Sequence, residues 1–185
     1  MTMLSEGTIG SERTEMFLAL AGSSDPIDLL VGEYDDALRY LTILDDGMNT
    51  IRLEGFSDEI FQRIIDALRF LSPHVLQHNR KEEKYLFPLL GRHGNHALYR
   101  MKQEHRELIQ VFVKLLRCVR RIKTGEITQY AIEEFVHNGI EIIDLLGEHF
   151  AQEGKMLFPL AKKLLSLEEY EQFKNGILVS AVYRG

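Results

Sequence analysis

One cysteine in 185 residues, Cys118, has no partner for an internal disulfide, so a reducing, cytoplasmic setting is expected. It stands in an apolar run and reads as core rather than as a nucleophile. Positive charge is scarce too: 22 Lys and Arg against 28 Asp and Glu leave the chain at −6. Nucleic acid requires a basic stripe to meet its phosphates, and none is present. The densest basic stretch, Arg117, Arg120, Arg121 and Lys123, ends a helix-like segment, where it complements the helix dipole. No apolar run is long enough to cross a membrane. The patch "MFLALAG" (16–22) is short and follows Glu12 and Glu15, so it is not expected to be a signal peptide either. Residues 1–12 read as a flexible tail. No composition shift asks for a second domain, so residues 13–185 are expected to form one.

Strand-like alternation is also missing, whereas helical spacing is abundant. Asp25-Pro26 is an N-cap followed by proline at the first helical position, and Leu30, Tyr34, Ala37, Leu41 and Leu44 recur until "DDGMN" breaks the pattern. A second helix starts near Ser57, with Phe61, Ile64, Leu68, Leu71 and Val75 on one side, Pro73 as a kink or boundary, and "GRHGN" at its end. A third runs from about Asn95 to Ile122 with Leu98, Met101, Leu108, Phe112, Leu115 and Val119 inward. After "KTGE", a fourth carries Phe135, Ile142 and Leu146, and a capping box, Ser166 with Glu169, opens a short last helix. The expected fold is all-α, an antiparallel up-down-up-down four-helix bundle with a short C-terminal helix.

The chain repeats itself. "HNRKEEKYLFPL" from His78 and "HFAQEGKMLFPL" from His149 agree at seven of twelve positions, 71 residues apart. The same shift lays Glu33 on Glu104, Tyr34 on His105, Leu41 on Phe112 and Leu71 on Ile142. Two equivalent helical hairpins therefore follow one another, and neither can bury its apolar face alone. Extended by sevens, the inner rows end in polar residues: Ile64–Leu71–His78 beside Phe61–Leu68–Val75–Glu82, and Phe135–Ile142–His149 beside Gly139–Leu146–Glu153. His105 continues the third helix's row and Tyr34 the first.

A single His–Glu pair at i, i+4 is ordinarily a solvated surface pair. Here the pair occurs twice, on interior rows, with a third histidine in register. Two buried carboxylates without cations or several hydrogen bonds would cost several kcal/mol each. Metal ions remove that cost, with carboxylates bridging two ions and imidazoles on the outer positions. Imidazole and carboxylate together suit iron better than structural zinc, which favours a closed tetrahedron.

The motifs "HNRKEEKYLFP", "KQEHREL" and "EHFAQEGKMLFP" resemble those of the hemerythrin-like (HHE cation-binding) domain family over approximately residues 26–165. The resemblance implies two non-haem iron ions with an oxo or hydroxo bridge, His78, His105 and His149 as terminal ligands, and Glu82 and Glu153 as bridging carboxylates. Where the family pattern expects histidine, this chain has Tyr34, in "GEYDDALR". Tyr34 is read as lying near the iron, as phenolate ligand or hydrogen-bond donor, with plain core beside an open iron position as the competing reading. His74, one turn before His78, is the second-tier replacement for the missing imidazole. Glu83 should point about 100° from Glu82 toward solvent. Asp35, Asp36 and His137 read as solvated, and His93 and His96 as turn residues. Phe87-Pro88 and Phe158-Pro159 read as packing the bundle end and bending the helices. Three functions then compete: reversible binding of a small diatomic ligand (dioxygen or nitric oxide), an enzyme that disproportionates peroxide or reduces a small oxidant, and a bundle that uses iron for stability or storage.

Overall fold

The Asp25 carboxylate accepts a hydrogen bond from the Ile27 backbone N–H at 2.8 Å, and helix α1 (Pro26–Glu54) starts there, as its capping residue and Pro26 require. The computed structural model describes residues 25–94 and 97–182, and every element among them is helical. The expected tail over 1–12, the patch at 16–22 and His96 lie outside the described residues. Helix α1 does not stop at "DDGMN". It runs through to Gly55, whose φ of 99° ends it. Met48 and Ile51 extend the buried row Leu41–Leu44, so the segment has an apolar face to hold. Gly47 serves a close approach rather than a turn: a Cβ there would meet Ile64 Cγ1 of the next helix at 2.6 Å.

Helix α2 covers 58–91 and is capped by Ser57, which accepts from the Ile60 N–H at 3.3 Å. Pro73 lies inside it without bounding it. Helix α2 is α-helical over Asp58–Lys81, makes a π turn over Glu82–Leu86, and resumes as Phe87–Gly91. Helix α3 (Ala97–Lys123) ends before Gly125, whose φ is 97°. Helix α4 covers 129–164 and repeats the pattern of α2: Gln129–Gln152, a π turn over Glu153–Leu157, then Phe158–Leu164. The π turns have a local cause. Pro88 and Pro159 lack an N–H, and each ring would collide with the carbonyl four residues back in an α-helix. The wide turn lets the Phe87 N–H reach Glu82 O and the Phe158 N–H reach Glu153 O, five residues back. The two Phe-Pro pairs thus re-phase their helices at the glutamates.

Helix α5 (Leu167–Val182) opens with a reciprocal capping box, in which the Ser166 N–H donates to Glu169 at 2.9 Å and the Glu169 N–H to Ser166 Oγ at 3.2 Å. Helices α1 and α2 pack along each other, as do α3 and α4, and α1 also packs on α4. Helix α5 lies against α1 and the π turn of α2, where the Tyr85 ring covers Gly176. The Tyr170 hydroxyl donates to Asp25 at 2.7 Å and Lys162 pairs with it at 2.9 Å, so both α5 and α4 are tied to the start of α1. All the inner-row residues expected from spacing are buried, and Phe61 meets Phe135 edge-on at 5.4 Å. The apolar rows bring four long helices to one shared core, and the polar ends of those rows meet within it.

Candidate metal centre

His78, Glu82, His105, His149 and Glu153 are each at most 2% exposed. Helix α2 contributes His78 and Glu82, α4 contributes His149 and Glu153, and α3 contributes His105. Glu82, His105, His149 and Glu153 each offer a ligand atom within 4.8 Å of the others. His78 joins them: its Nε2 lies 3.5 Å from Glu153 Oε2 and 3.9 Å from Glu82 Oε1. His105 Nε2 is 3.4 Å from Glu82 Oε2, and His149 Nε2 is 2.7 Å from Glu153 Oε1.

The atoms in this centre share one property. The three Nε2 atoms, both Glu82 oxygens and Glu153 Oε1 are buried without a hydrogen-bond partner. Fully buried carboxylate and imidazole atoms left so would cost several kcal/mol. They are also the donor types that hold divalent and trivalent cations, at bonds of about 2.0–2.2 Å, which would span most of the cluster from its middle. The residues present fit a metal.

The other nitrogen of every ring is occupied. His78 Nδ1 donates to Glu33 at 3.0 Å, His105 Nδ1 to Glu83 at 2.7 Å, and His149 Nδ1 to Glu104 at 3.3 Å. These bonds fix the tautomer and leave each Nε2 lone pair facing the cluster. Glu33 and Glu104 were not read as partners from sequence, although the 71-residue register had superposed them. Glu83 is exposed as expected, with 44% of its side chain accessible, yet its carboxylate also accepts from His105. The π turn that begins at Glu82 widens the helix, and the carboxylate reaches across to α3. Lys81, buried on α2, pairs with Glu33, whereas Arg100 holds Glu104 at 3.0 Å from a largely exposed position.

Tyr34 is 9% exposed, and its hydroxyl donates to Glu153 Oε2. Its ring stacks on Phe150 at 4.4 Å and lies 5.2 Å from the His78 ring. The phenol oxygen therefore belongs to the cluster. His74 does not: its Nε2 donates to the Glu33 carbonyl at 2.9 Å and its ring stacks on Phe70. Phe87 stacks on His105 at 5.5 Å, and Phe158 on Tyr34 at 6.1 Å, so the Phe-Pro pairs wall the site as well as shaping the helices. Asp35, Asp36 and His137 are exposed, and His93 pairs with Glu169 at 3.1 Å on the surface.

Burial, followed by the charge of nearby His105, pushes His149 down to about 4, despite Glu82 and Glu104. Burial raises Glu153 well above the usual carboxylate range. Burial also acts against the Glu33 carboxylate, but the His78 hydrogen bond and the Lys81 charge outweigh it and bring the group down to about 2. At neutral pH the metal-free centre thus has a neutral His149 and an ionised Glu33 outside it, while burial shifts Glu153 toward its protonated form. The neutral imidazole of His149 is the form that ligates a metal, and the raised Glu153 must be ionised to do so.

No helix among the described residues is long and apolar enough to cross a membrane. The sequence profile of the hemerythrin HHE cation-binding domain matches residues 25–161. No curated protein and no solved structure matches the chain.

Proposed function

The chain belongs to the hemerythrin HHE cation-binding domain family, and from that premise we propose that it holds two non-haem iron ions and binds or reacts with a small oxidant there. Dioxygen, nitric oxide and peroxide are the candidate ligands. The observation that carries the reading is the set of orphaned inward atoms on His78, Glu82, His105, His149 and Glu153, with every outward Nδ1 satisfied. In this reading the three imidazoles would hold the ions through Nε2, and Glu82 and Glu153 would be their carboxylate ligands. A cytoplasmic protein is proposed, consistent with its lone buried cysteine. We take residues 13–185 as one domain and the four long helices as an antiparallel up-down-up-down bundle. The short turns between paired helices support that arrangement.

When bound, the irons would supply the electrons that a small oxidant takes up or shares. The chain's own residues do the rest. Glu33, Glu83 and Glu104 hold the imidazoles in one tautomer and raise their basicity. Phe87, Phe150 and Phe158 line the site and keep bulk water out. Tyr34 holds a proton against Glu153, or as phenolate would itself be a ligand favouring ferric iron. That hydroxyl inclines the reading toward reaction with the oxidant rather than reversible carriage.

Metal analysis of protein purified without added iron, with optical spectra before and after reduction, tests this. About two irons per chain are expected, lost or halved in Glu82→Ala and Glu153→Ala. One tightly held zinc and no iron would refute the di-iron reading.

A further inference from the structure

The carboxylates that hold the imidazoles obey the 71-residue register, with one exception. Glu33–His78 in the first half and Glu104–His149 in the second are the same contact made twice. His105–Glu83 joins the two halves, from α3 to the π turn of α2. Its counterpart joins residue 34 of α1 to residue 154 in the π turn of α4, and both residues differ there. Tyr34 has no Nδ1–H to donate, and Gly154 has no carboxylate to accept.

Nothing local asks for glycine at 154. Its φ is not positive, in contrast to Gly55, Gly94 and Gly125. A Cβ built on it would meet no atom of the described residues within 4 Å. The equivalent π turn accommodates Glu83 at the same place. Inside a helical segment glycine is disfavoured by its backbone entropy, so it stands there without a conformational or packing return.

We infer that Gly154 is a specificity-determining residue of the metal centre. Without a carboxylate at 154, position 34 accepts a phenol and does not hold an oriented imidazole. The inference rests on reading the cluster as a metal centre, but its mechanism is a hydrogen bond of the metal-free protein. An imidazole at 34 would keep a buried Nδ1–H without an acceptor, and a carboxylate at 154 supplies one. Residue 154 thus decides whether the fourth position of the site offers oxygen or nitrogen.

The test is a cycle of Tyr34→His, Gly154→Glu and the double variant, with Gly154→Ala in both backgrounds to remove the contribution of helix propensity. Melting temperature and imidazole 15N–1H spectra are read on metal-free protein, then iron content and visible spectrum on protein reconstituted with ferrous iron. Tyr34→His alone should melt lower than the parent and show no fixed Nδ1–H for the new imidazole. Adding Gly154→Glu should recover more than half of the lost melting temperature and fix that tautomer, whereas adding Gly154→Ala should not. After iron loading, the double variant alone should show the spectrum of a site with a fourth imidazole. Additive melting temperatures would overturn the inference, as would a fixed Nδ1–H already present in Tyr34→His. Because the coupling is read without metal, it is decided whatever the parent's iron content proves to be.

Discussion

Glu153 has more claims on it than any other side chain of the centre. Its Oε2 accepts from Tyr34 and faces His78 at 3.5 Å, while its Oε1 lies 2.7 Å from His149 with no hydrogen bond. Burial raises its pKa well above the usual carboxylate range in the metal-free protein. The sign follows. A group whose folded pKa exceeds its unfolded value stabilises fully below the unfolded value, and that contribution is lost as pH rises through the folded one. Metal-free protein should therefore lose Glu153's contribution on going alkaline, while metal binding, which requires the carboxylate, should strengthen. Calorimetric titration of ferrous iron in buffers of different ionisation enthalpy should show proton release on binding that grows as pH falls. Binding with no proton release would contradict the raised Glu153. Tyr34 makes a second residue-level case. If its oxygen binds ferric iron, the protein should show a visible phenolate-to-iron band that Tyr34→Phe removes with iron content intact. An unchanged spectrum would leave Tyr34 as a hydrogen-bond donor to Glu153 only. The sequence showed which row Tyr34 stands on, since 71 residues separate it from His105. It could not show that the hydroxyl meets Glu153 rather than water, because that contact joins residues 119 apart.

The helices show where reading by periodicity works and where it fails. The rows Ile64–Leu71–His78 and Phe135–Ile142–His149 were legible because their spacing repeats over several turns, and all six residues are buried. The π turns were not, because one wide turn changes the phase only locally. Their trace was Pro88 and Pro159, each six residues after a glutamate of the centre. Glu83 is exposed as its spacing implied, but its contact with His105, 22 residues away, was not legible. Helix α1 was ended too early because Gly47 was taken as a breaker. Its absent Cβ instead admits Ile64. Gly47→Ala should consequently destabilise by about 1–3 kcal/mol through overpacking, despite alanine's better helix propensity. Chemical denaturation measures this. A gain in stability would mean that α1 and α2 are not in close contact at this level.

For the whole molecule, the 71-residue register places two equivalent sets of polar residues at the centre of an apolar core. A core holding buried carboxylates and imidazoles with unpaired atoms is weakened by them, and a cation bound only by the folded chain repairs it. Chelation should therefore lower the melting temperature, and returning iron should restore it. Equal values for both forms would mean that the polar core is satisfied without metal. The donor set and the family support a cation at this cluster, whose position follows from the geometry, and two irons are the proposed occupants. Anomalous diffraction at the iron absorption edge, from crystals of protein purified without added metal, tests both at once. Two iron peaks are expected, flanked by Glu82 and Glu153 and each in reach of an imidazole Nε2. A single peak responding at the zinc edge, or no peak within reach of these side chains, would contradict the di-iron centre.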